Sequence, residues 1–434
     1  AAGVVAAATA DAQRSPREVP QGGAPCTTDW NCSLAGLCVA GRCRCDPWMT
    51  GETCGLLNLV TPTDPAAQGL QVPGYFSWGG HAAWDDETQR YHGFFSFMCH
   101  HQTLSKWTSV SSVMRATATH PEGPYTPQEM VIQPWSHNTM LVWDPPSKQH
   151  ILFFIGTASA NASLWAPCYQ PNSSGAATTT ALTARVPPSG PHPGDVSAAT
   201  TANGKLTGKW EVFTGWRPRP ASGNNPQIHV TQPWDTRGVA GNPAPYIFPN
   251  GTTLLYFSAQ PCPTDWGRAA TCINVARADT WQGPYTTVGA LPITRPESED
   301  PFVFRDARGN FHLLTNVNNG HQRCSQGVAC GGHAWSRDGI TFSDLDIGAY
   351  GPRIPLRNGS VWQNAYIERP QVLQDADGTP VAFFTGMGRT SYVDSCSWVQ
   401  RFCSRSGDPT CAPTGKLCPW KNVTNGATTV FCSA

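Results

Sequence analysis

Five stretches of this chain begin alike, and together they decide the fold that the sequence predicts. They read His81-Ala82-Ala83-Trp84, His137-Asn138-Thr139-Met140, Asn242-Pro243-Ala244-Pro245, Glu299-Asp300-Pro301-Phe302 and Glu368-Arg369-Pro370-Gln371. Each opens with polar or ionisable residues and runs into apolar ones, and a turn rich in Asp, Asn, Gly or Pro separates it from an aromatic and aliphatic strand. Multi-strand blocks that recur along a chain are typical of a propeller, in which the first strand of each blade lines a central channel. We therefore predict an all-β, five-bladed β-propeller whose polar strand starts converge on one pocket.

A second periodic marker supports the same blades. It reads Gly123-Pro124-Tyr125, Gly208-Lys209-Trp210 and Gly283-Pro284-Tyr285, and we interpret it as the turn into each outer strand. A β-sandwich also has short strands and many turns, but the blade-length period disfavours it. The segment from about 160 to 193, rich in Ser, Thr, Ala, Gly and Pro, is predicted to be a mobile loop inserted in the second blade.

Composition limits the kinds of ligand that this protein would bind. The 434 residues include 42 Gly, 39 Pro and 17 Trp, only 13% are charged, and the formal net charge is +0. No electrostatic footprint for nucleic acid or an anionic membrane follows from that balance. No apolar run is long enough to span a membrane. Low charge with many indoles favours a neutral, hydroxylated ligand, although most of the tryptophans are expected to fill the core.

Cysteines and glycosylation signals point to the secretory route. The chain has 17 cysteines, which suits an oxidising compartment. Six Asn-x-Ser/Thr sequons agree with that compartment. They are Asn31, Asn161, Asn172, Asn250, Asn358 and Asn422. Residues 1–25 are predicted to be a flexible leader, with the Ala-rich start as a remnant of a processed signal segment. We therefore expect a secreted or cell-surface glycoprotein.

Residues 26–54 carry six cysteines spaced C-x5-C-x5-C-x4-C-x-C-x8-C. So small a unit needs disulfides to hold it together, and paired C-x2-C spacings with His partners, which would indicate a metal site, do not occur. The segment resembles an EGF-like module. That resemblance implies the bridges Cys26–Cys38, Cys32–Cys43 and Cys45–Cys54, and an extracellular protein partner is a further expectation for such a module.

Eleven cysteines lie outside that module. Cys262 with Cys272 and Cys324 with Cys330 flank turns in blades three and four, so we expect local bridges there, and Cys99 is paired with Cys168 as a guess. The Cys-rich segment 401–434 is predicted to close or cap the propeller of residues 74–400. Because eleven is odd, one thiol is predicted to be free or to pair outside the chain.

The strand starts resemble those of the five-bladed propeller glycosidases. Glu299-Asp300-Pro301 is similar to the Glu-x-Pro of glycoside hydrolase family 43, and Ser336-Arg337-Asp338-Gly339 to the Ser-x-Asp-Gly turn of such blades. Related families include arabinanases, invertases, levansucrases and anhydro-galactosidases. The resemblance implies a neutral glycan or polysaccharide as ligand and Glu299 as general acid. It departs at Asn242, where family 43 has an aspartate, and in blade one, where Ser77-Trp78-Gly79-Gly80-His81 has no Asp-Pro.

Glycoside hydrolysis usually needs a protonated carboxyl and a second, ionised one. Glu299 with Glu368 is the pair that the sequence offers, and His81 or His137 could replace the missing base. The plainer interpretations are an inter-blade salt bridge for Glu368-Arg369 and core positions for the histidines. Adjacent strand residues point to opposite faces, so Glu299 and Asp300 are not both expected to face the channel.

The candidate substrate-binding residues are those that the repeat places near the pocket or beside glycines. They are His137, Asn138, Asn242, Asp300, Arg369, His333 and Trp78, with Trp84 and Trp135 as further stacking candidates. No cofactor is required for such chemistry, and a structural calcium in the channel is conceivable from the relatives, with no ligands identified.

Two functions follow from these residues. One is a secreted glycoside hydrolase acting on a neutral glycan, and the other is a non-catalytic glycan-binding or surface-assembly protein that kept the pocket and lost the base. The enzyme requires Glu299 and a second carboxyl or imidazole to face one open pocket within about 10 Å. A plugged channel would favour the binding protein.

Overall fold

The computed structural model describes residues 21–158, 168–169, 196–216, 228–229, 241–259, 271–289, 292–293, 298–317, 330–389, 393–406 and 408–413. This part of the chain is almost entirely β, as the sequence predicted. Its single α-helix, α1, covers Trp107–Val110. None of the described helices is long and apolar enough to cross a membrane.

The N-terminal segment is small and rich in disulfides. Disulfides join Cys26 to Cys38, Cys32 to Cys43 and Cys45 to Cys54, which are the pairs implied by the resemblance. A 3-10 helix covers Asp29–Cys32. The strands are β1 (Gly22–Pro25), β2 (Gly36–Val39), β3 (Arg42–Cys45), β4 (Met49–Thr50) and β5 (Leu56–Val60). β3 lies between β1 and β2, and β4 pairs with β5.

Five antiparallel sheets follow in chain order. The first contains β6 (Phe76–Asp85), β7 (Arg90–Met98), β8 (Ser111–Ala118) and β9 (Thr126–Ile132). The second contains β10 (His137–Asp144), β11 (Gln149–Ile155), β12 (Val196–Thr201) and β13 (Trp210–Val212). In the third, a short parallel strand β14 (Ile228–His229) joins the outer edge of β15 (Gly241–Ile247), β16 (Thr253–Ala259), β17 (Cys272–Ala278) and β18 (Tyr285–Thr287).

The fourth sheet contains β19 (Glu299–Arg305), β20 (Phe311–Val317), β21 (Cys330–Ser336) and β22 (Asp346–Tyr350). The hairpin β23 (Arg353–Pro355) and β24 (Val361–Gln363) precedes the fifth sheet. That sheet has three strands, β25 (Tyr366–Gln374), β26 (Pro380–Gly388) and β27 (Ser395–Arg401). Further 3-10 helices cover Pro65–Ala67, Cys99–His101 and Leu104–Lys106.

The first strands of the five sheets contact one another in cyclic order. β6 contacts β10, β10 contacts β15, β15 contacts β19, β19 contacts β25, and β25 contacts β6 again. The predicted second marker stands directly before the outer strands β9, β13 and β18, as expected. The five repeated sequence starts therefore lie on the first strands of the five sheets.

Apolar clusters fill the spaces between neighbouring sheets. One lies between sheets one and two around Phe94 and Leu152, another between sheets two and three around Phe153 and Phe257. Each clustered side chain alternates along its strand with one that faces the other neighbour, because successive strand residues point to opposite faces. Burial of both faces explains why the second strands read as continuous apolar runs.

The outer edge of the fifth sheet is met by residues from near the N-terminus. Leu70 forms a β-bridge with Ser397, and Leu59 forms one with Phe402. Strand β28 (Cys411–Pro413) pairs antiparallel with β5. The two described ends of the chain therefore meet at this edge. The remainder of the Cys-rich segment predicted for 401–434 lies mostly outside the described residues.

The disulfide-rich segment packs against the fourth sheet. Arg308 donates to the carboxylate of Asp46 at 2.5 and 3.0 Å and to the carbonyl of Leu34 at 2.6 Å. The ring of Trp48 lies edge-on to His312, with centroids 5.1 Å apart. An apolar cluster runs from this segment into sheets three to five. The segment is thus anchored on a sheet and does not act as a free spacer.

The remaining cysteines have mixed outcomes. Disulfides join Cys99 to Cys168 and Cys403 to Cys411, and Cys272 and Cys330 are also disulfide-bonded. Their expected partners Cys262 and Cys324 lie outside the described residues. Cys396 is a free thiol, and burial raises its pKa to about 12.

Three sequons, Asn31, Asn250 and Asn358, lie on exposed positions. The other three, Asn161, Asn172 and Asn422, lie outside the described residues, as do residues 1–20 of the predicted leader and nearly all of the predicted loop 160–193. The disulfides fit an extracellular protein.

Candidate functional site

Each first strand has a residue in the left-handed conformation near its start, and these five residues stand at equivalent places. They are Gly79, Asn138, Asn242, Asp300 and Arg369, with φ between 54 and 60°. The strand pairing is irregular at each of them, as in a β-bulge. Asn, Asp and Gly tolerate this left-handed conformation, whereas an arginine there is strained. The bulge turns these residues away from the regular alternation of the strand.

Four of these side chains are hydrogen-bonded in sequence around the axis of the cycle. Asn138 Nδ2 donates to Asn242 Oδ1 at 2.7 Å, and Asn242 Nδ2 donates to Asp300 Oδ1 at 2.7 Å. The guanidinium of Arg369 donates to the same Asp300 oxygen. The fifth place is Gly79, where a Cβ would lie 3.1 Å from the Cβ of Arg369. We call these five residues the central ring.

The central ring is closed and mostly shielded from water. The Asp300 side chain is 1% exposed and that of Arg369 16%. The adjoining cavity has a volume of about 20 Å³, enough for about one water molecule. Asn138 Oδ1, Asp300 Oδ2 and Gln371 Oε1 are buried there without a hydrogen-bond partner among the described residues. A sugar ring does not fit in this space.

The ring does not suit the structural calcium that the sequence left open. Calcium takes six to eight oxygen ligands, usually with several carboxylates. Asp300 is the one acidic member of the ring, and its charge is neutralised by Arg369. A divalent ion would therefore stand beside a guanidinium with no uncompensated carboxylate.

Below the ring, the axis is filled by the residues two positions further along the strands. His81 Nε2 lies 3.1 Å from the carbonyl of Val372, and its ring lies 5.8 Å from that of Phe302. Gln371 donates to the carbonyl of Thr139 at 2.9 Å. Burial lowers the pKa of His81, so the imidazole is neutral. His81, expected as a catalytic base, is partly exposed, and its ring lies close to Val372, Phe302 and Phe384.

The two candidate glutamates immediately precede ring residues, yet neither lines the central cavity. Glu368 is 4% exposed, and its charge helps to raise the pKa of the buried Tyr350 phenol, after desolvation as the larger cause. Glu299 is partly exposed. Its carbonyl accepts a hydrogen bond from Thr315 Oγ1 at 2.9 Å. Of the pair Glu299 and Glu368, only Glu299 reaches solvent.

His137 is the first residue of β10, and the ring of Trp107 covers its imidazole. Its Nδ1 is 2.7 Å from Ser111 Oγ, and Trp107 stacks on its ring at 4.9 Å and 23°. Burial, and secondly the charge of Arg369, lowers the pKa of His137 well below its usual value. Trp107 is partly exposed. No sequence signal singled it out, because its contact with His137 arises only when the β7–β8 connection folds over β10.

Two other candidates are core residues. His333 is fully buried in the fourth sheet, its Nε2 3.0 Å from His312 Nδ1, and desolvation lowers its pKa well below the usual value. The glycines beside it make room for Tyr350 and Leu345 and not for a ligand. Trp78 is 1% exposed and packs where a Cβ on Gly386 would stand.

No protein-family model matches this chain, and no curated protein matches it in sequence. Similar solved structures include a family 117 glycoside hydrolase from the marine bacterium Zobellia galactanivorans, with 14% identity, 84% of this chain and 95% of that one covered, and a TM-score of 0.49. An α-L-arabinofuranosidase from Lactobacillus brevis has 10% identity, coverages of 81% and 95%, and a TM-score of 0.46. One from Podospora anserina, in complex with cellotriose, has 11% identity, coverages of 82% and 97%, and a TM-score of 0.46.

Proposed function

We propose that this chain is a secreted glycan-binding protein built on a five-bladed β-propeller of the glycosidase type. The observation that carries this proposal is the closed central ring. Asp300 is held by Arg369 and Asn242, and the cavity beside it accepts about one water. The five sheets would be the blades, and the cyclic contacts of their first strands support that description.

The chemistry of hydrolysis explains why binding is the better proposal. Cleavage needs one carboxyl that gives a proton and one ionised carboxyl that activates water or attacks the sugar. Asp300 is committed to a buried ion pair, and Glu368 is 4% exposed. His81 packs below the ring. Of the groups that the sequence offered for the second role, Asp300 is thus neutralised by Arg369 and Glu368 is withheld from solvent.

A glycan would bind above the ring, at the end where the first strands begin. β7 ends beside the start of β6, and the same pairing recurs in the other four sheets, so every connection from the second to the third strand leaves at this end. We call it the mouth end. Glu299 would accept hydrogen bonds from hydroxyls, and the exposed face of Trp107 would stack on a sugar ring.

The extracellular setting is part of the same proposal. The disulfides at Cys26, Cys32 and Cys45 suit a secreted chain, and the segment that they hold would be an EGF-like module. Since Arg308 and Trp48 fix that segment to the fourth sheet, a protein partner would meet the module and the propeller as one surface.

Hydrolysis is the second candidate, and one observation favours it. Glu299 is partly exposed at the mouth end, at the place where the resemblance puts a general acid. Such an enzyme would need a second catalytic group within reach of Glu299.

The test measures binding and bond cleavage on the same samples. Native gels containing arabinan, galactan, xylan or agarose report binding as slower migration, and a reducing-end assay reports hydrolysis. Glu299→Gln and Trp107→Ala are compared with wild type, and Glu211→Gln, an exposed glutamate on the second sheet, is the matched control.

Binding that weakens in Glu299→Gln and Trp107→Ala but not in Glu211→Gln, without release of reducing ends, is the expected result. Reducing ends that are released by wild type and not by Glu299→Gln would replace the binding proposal by hydrolysis. If both mouth-end variants bind as wild type does, the mouth end is not the glycan site.

A further inference from the structure

The opposite end of the first strands carries two exposed tryptophans at equivalent places. Trp84 stands five residues after Gly79 on β6, and Trp143 stands five residues after Asn138 on β10. They are 40% and 44% exposed, among the few large apolar side chains of the described residues that face solvent. We call this end of sheets one and two the far end. An exposed indole has no stabilising role in the core. Core packing therefore does not explain why a tryptophan stands at the equivalent place of both strands.

Both tryptophans are held in the same way by an aromatic ring on the neighbouring strand. Trp84 lies 4.8 Å from its cross-strand partner Tyr91 at an interplanar angle of 62°. Trp143 lies 4.8 Å from its cross-strand partner His150 at 61°. Edge-to-face contacts of this kind fix the orientation of an indole. Two adjacent sheets therefore present two rigid aromatic surfaces of equal geometry.

Carboxylates lie at the turn between β6 and β7, directly after Trp84. Asp86 is exposed, and its Oδ1 accepts a hydrogen bond from Trp84 Nε1 at 2.8 Å. Asp85 lies next to it, with Oδ2 accepting from Thr88 Oγ1 at 2.7 Å. Asp85 also belongs to the surroundings of His150, whose pKa its charge raises slightly against the larger lowering by burial. A strong acceptor thus stands beside Trp84, and the charge of Asp85 acts on His150, the ring that holds Trp143.

We propose that the far end is a binding surface for a neutral carbohydrate chain, distinct from the mouth end. The apolar faces of sugar rings would stack on Trp84 and Trp143. Their hydroxyls would donate to Asp86 and Asp85, since ionised acceptors form the stronger hydrogen bonds. Because Tyr91 and His150 already hold the indoles in place, little side-chain entropy is lost when a sugar stacks on them.

Other partners fit this surface less well. The core of a protein–protein interface is depleted of charged residues, whereas Asp85, Asp86 and Glu87 directly follow Trp84 in the sequence. Asp85 and Asp86 would repel the phosphates of a nucleic acid or of an anionic membrane surface, while Glu87 is paired with Lys205 at 2.6 Å. A neutral, hydroxylated chain is the ligand that uses the indoles and the carboxylates together.

The far end and the mouth end lie at opposite ends of the same strands, so their variants can be compared directly. Native gels with arabinan, galactan, xylan or agarose serve as the binding assay. Trp84→Ala and Trp143→Ala are each expected to weaken the retardation about tenfold in apparent affinity. Trp84→Phe keeps a stacking ring and is expected to restore part of it. Val361→Ala, which removes an equally exposed apolar side chain elsewhere, is the control.

The outcomes separate the two proposals. Loss in the far-end variants with retention in Val361→Ala, whatever Glu299→Gln and Trp107→Ala do, supports the far-end surface. If wild type binds none of the four polysaccharides, or if Trp84→Ala and Trp143→Ala bind as wild type does, the far-end surface is not a carbohydrate site. A dimer seen by sedimentation that Trp84→Ala abolishes would likewise overturn the proposal.

Discussion

The two ends of the five first strands differ in how their polar side chains are oriented and exposed to water. At the mouth end, polar side chains turn inward and bond to one another, so that Asp300 and Arg369 are nearly hidden from water. At the far end, Trp84 and Trp143 face outward next to carboxylates that are in contact with solvent. Polar residues that converge do not by themselves make a pocket. The mouth end, whose polar residues suggested a catalytic pocket, has only a small cavity. The far end, which no motif singled out, offers an open surface.

This difference is energetic as well as geometric. A buried ion pair resists the loss of either partner, because the remaining charge stays desolvated. An exposed aromatic side chain contributes little to folding and can be removed at small cost. Variants of the two ends should therefore separate stability from ligand binding.

Removal of the ring arginine should have the largest effect. Arg369→Met leaves the Asp300 carboxylate buried without its cation, and we expect the free energy of unfolding to fall by about 3–5 kcal/mol. Urea unfolding followed by tryptophan fluorescence measures it. Arg401→Met, which breaks an exposed pair with Glu122 at 3.4 Å, is the control and should cost less than about 1 kcal/mol. Equal losses in the two variants would mean that Arg369 and Asp300 do not behave as a buried ion pair.

Acid should destabilise the protein through its buried neutral histidines. The pKa of His137 lies well below its unfolded value of 6.5, so the unfolded chain binds the extra proton first as pH falls. Stability is then lost as pH falls below about 6.5, by about 2 kcal/mol per such histidine between pH 7 and pH 5. His137→Gln should lose less over that range, measured by urea unfolding at both pH values. His120→Gln, at an exposed position, should keep the wild-type pH dependence.

Gly79 tests whether the fifth place of the ring must stay empty. Gly79→Ala puts a Cβ 3.1 Å from that of Arg369 and forces alanine to a φ of +54°, so we expect a loss of about 2 kcal/mol in thermal or urea unfolding. Gly359→Ala has a φ of +83° with nothing within 4 Å of the new Cβ, and it reports the backbone strain alone. A Gly79→Ala loss no greater than that of Gly359→Ala would show that Arg369 does not press on this place.

The far-end tryptophans should have the smallest effect on stability. Trp84→Ala and Trp143→Ala remove half-exposed rings, and we expect changes within about 1 kcal/mol in the free energy of unfolding. A loss comparable to that of Arg369→Met would make the indoles structural, and the contrast between the two ends would disappear.

Much of the architecture followed from patterns in the sequence. The strand starts at His137 and Glu299 begin β10 and β19, and Glu368 is the third residue of β25, because a polar start followed by apolar residues reflects how a first strand enters a buried sheet. The Gly-Pro-Tyr marker predicted outer strands, since its turn chemistry is local. The implied bridge Cys26–Cys38 is present because closely spaced cysteines have few alternatives.

The site was harder to predict, for a physical reason. The repeat located Asn138, Asn242, Asp300 and Arg369 correctly at one place, but their mutual hydrogen bonds depend on a bulge and on left-handed backbone that no pattern announced. Strand alternation correctly predicted that Glu299 and Asp300 do not both face the axis, but Asp300, and not the expected acid Glu299, lines the central cavity. Trp78 and His81 were placed by their neighbours in other sheets, which a single sequence does not display.

The edge of the fifth sheet has a consequence for how this protein is made. Ser397 donates its backbone N–H to Ser77 Oγ, 320 residues earlier in the chain, and Leu70 forms a bridge with the same Ser397. During synthesis the first sheet therefore emerges long before the fifth sheet. The side of the first sheet that contacts the fifth stays uncovered until the other four sheets have been made. Contacts so distant in sequence fold slowly and leave strand edges exposed to other chains. A nascent chain that ends before residue 397 should therefore bind chaperones. In the complete chain, the fifth sheet covers this side of the first sheet.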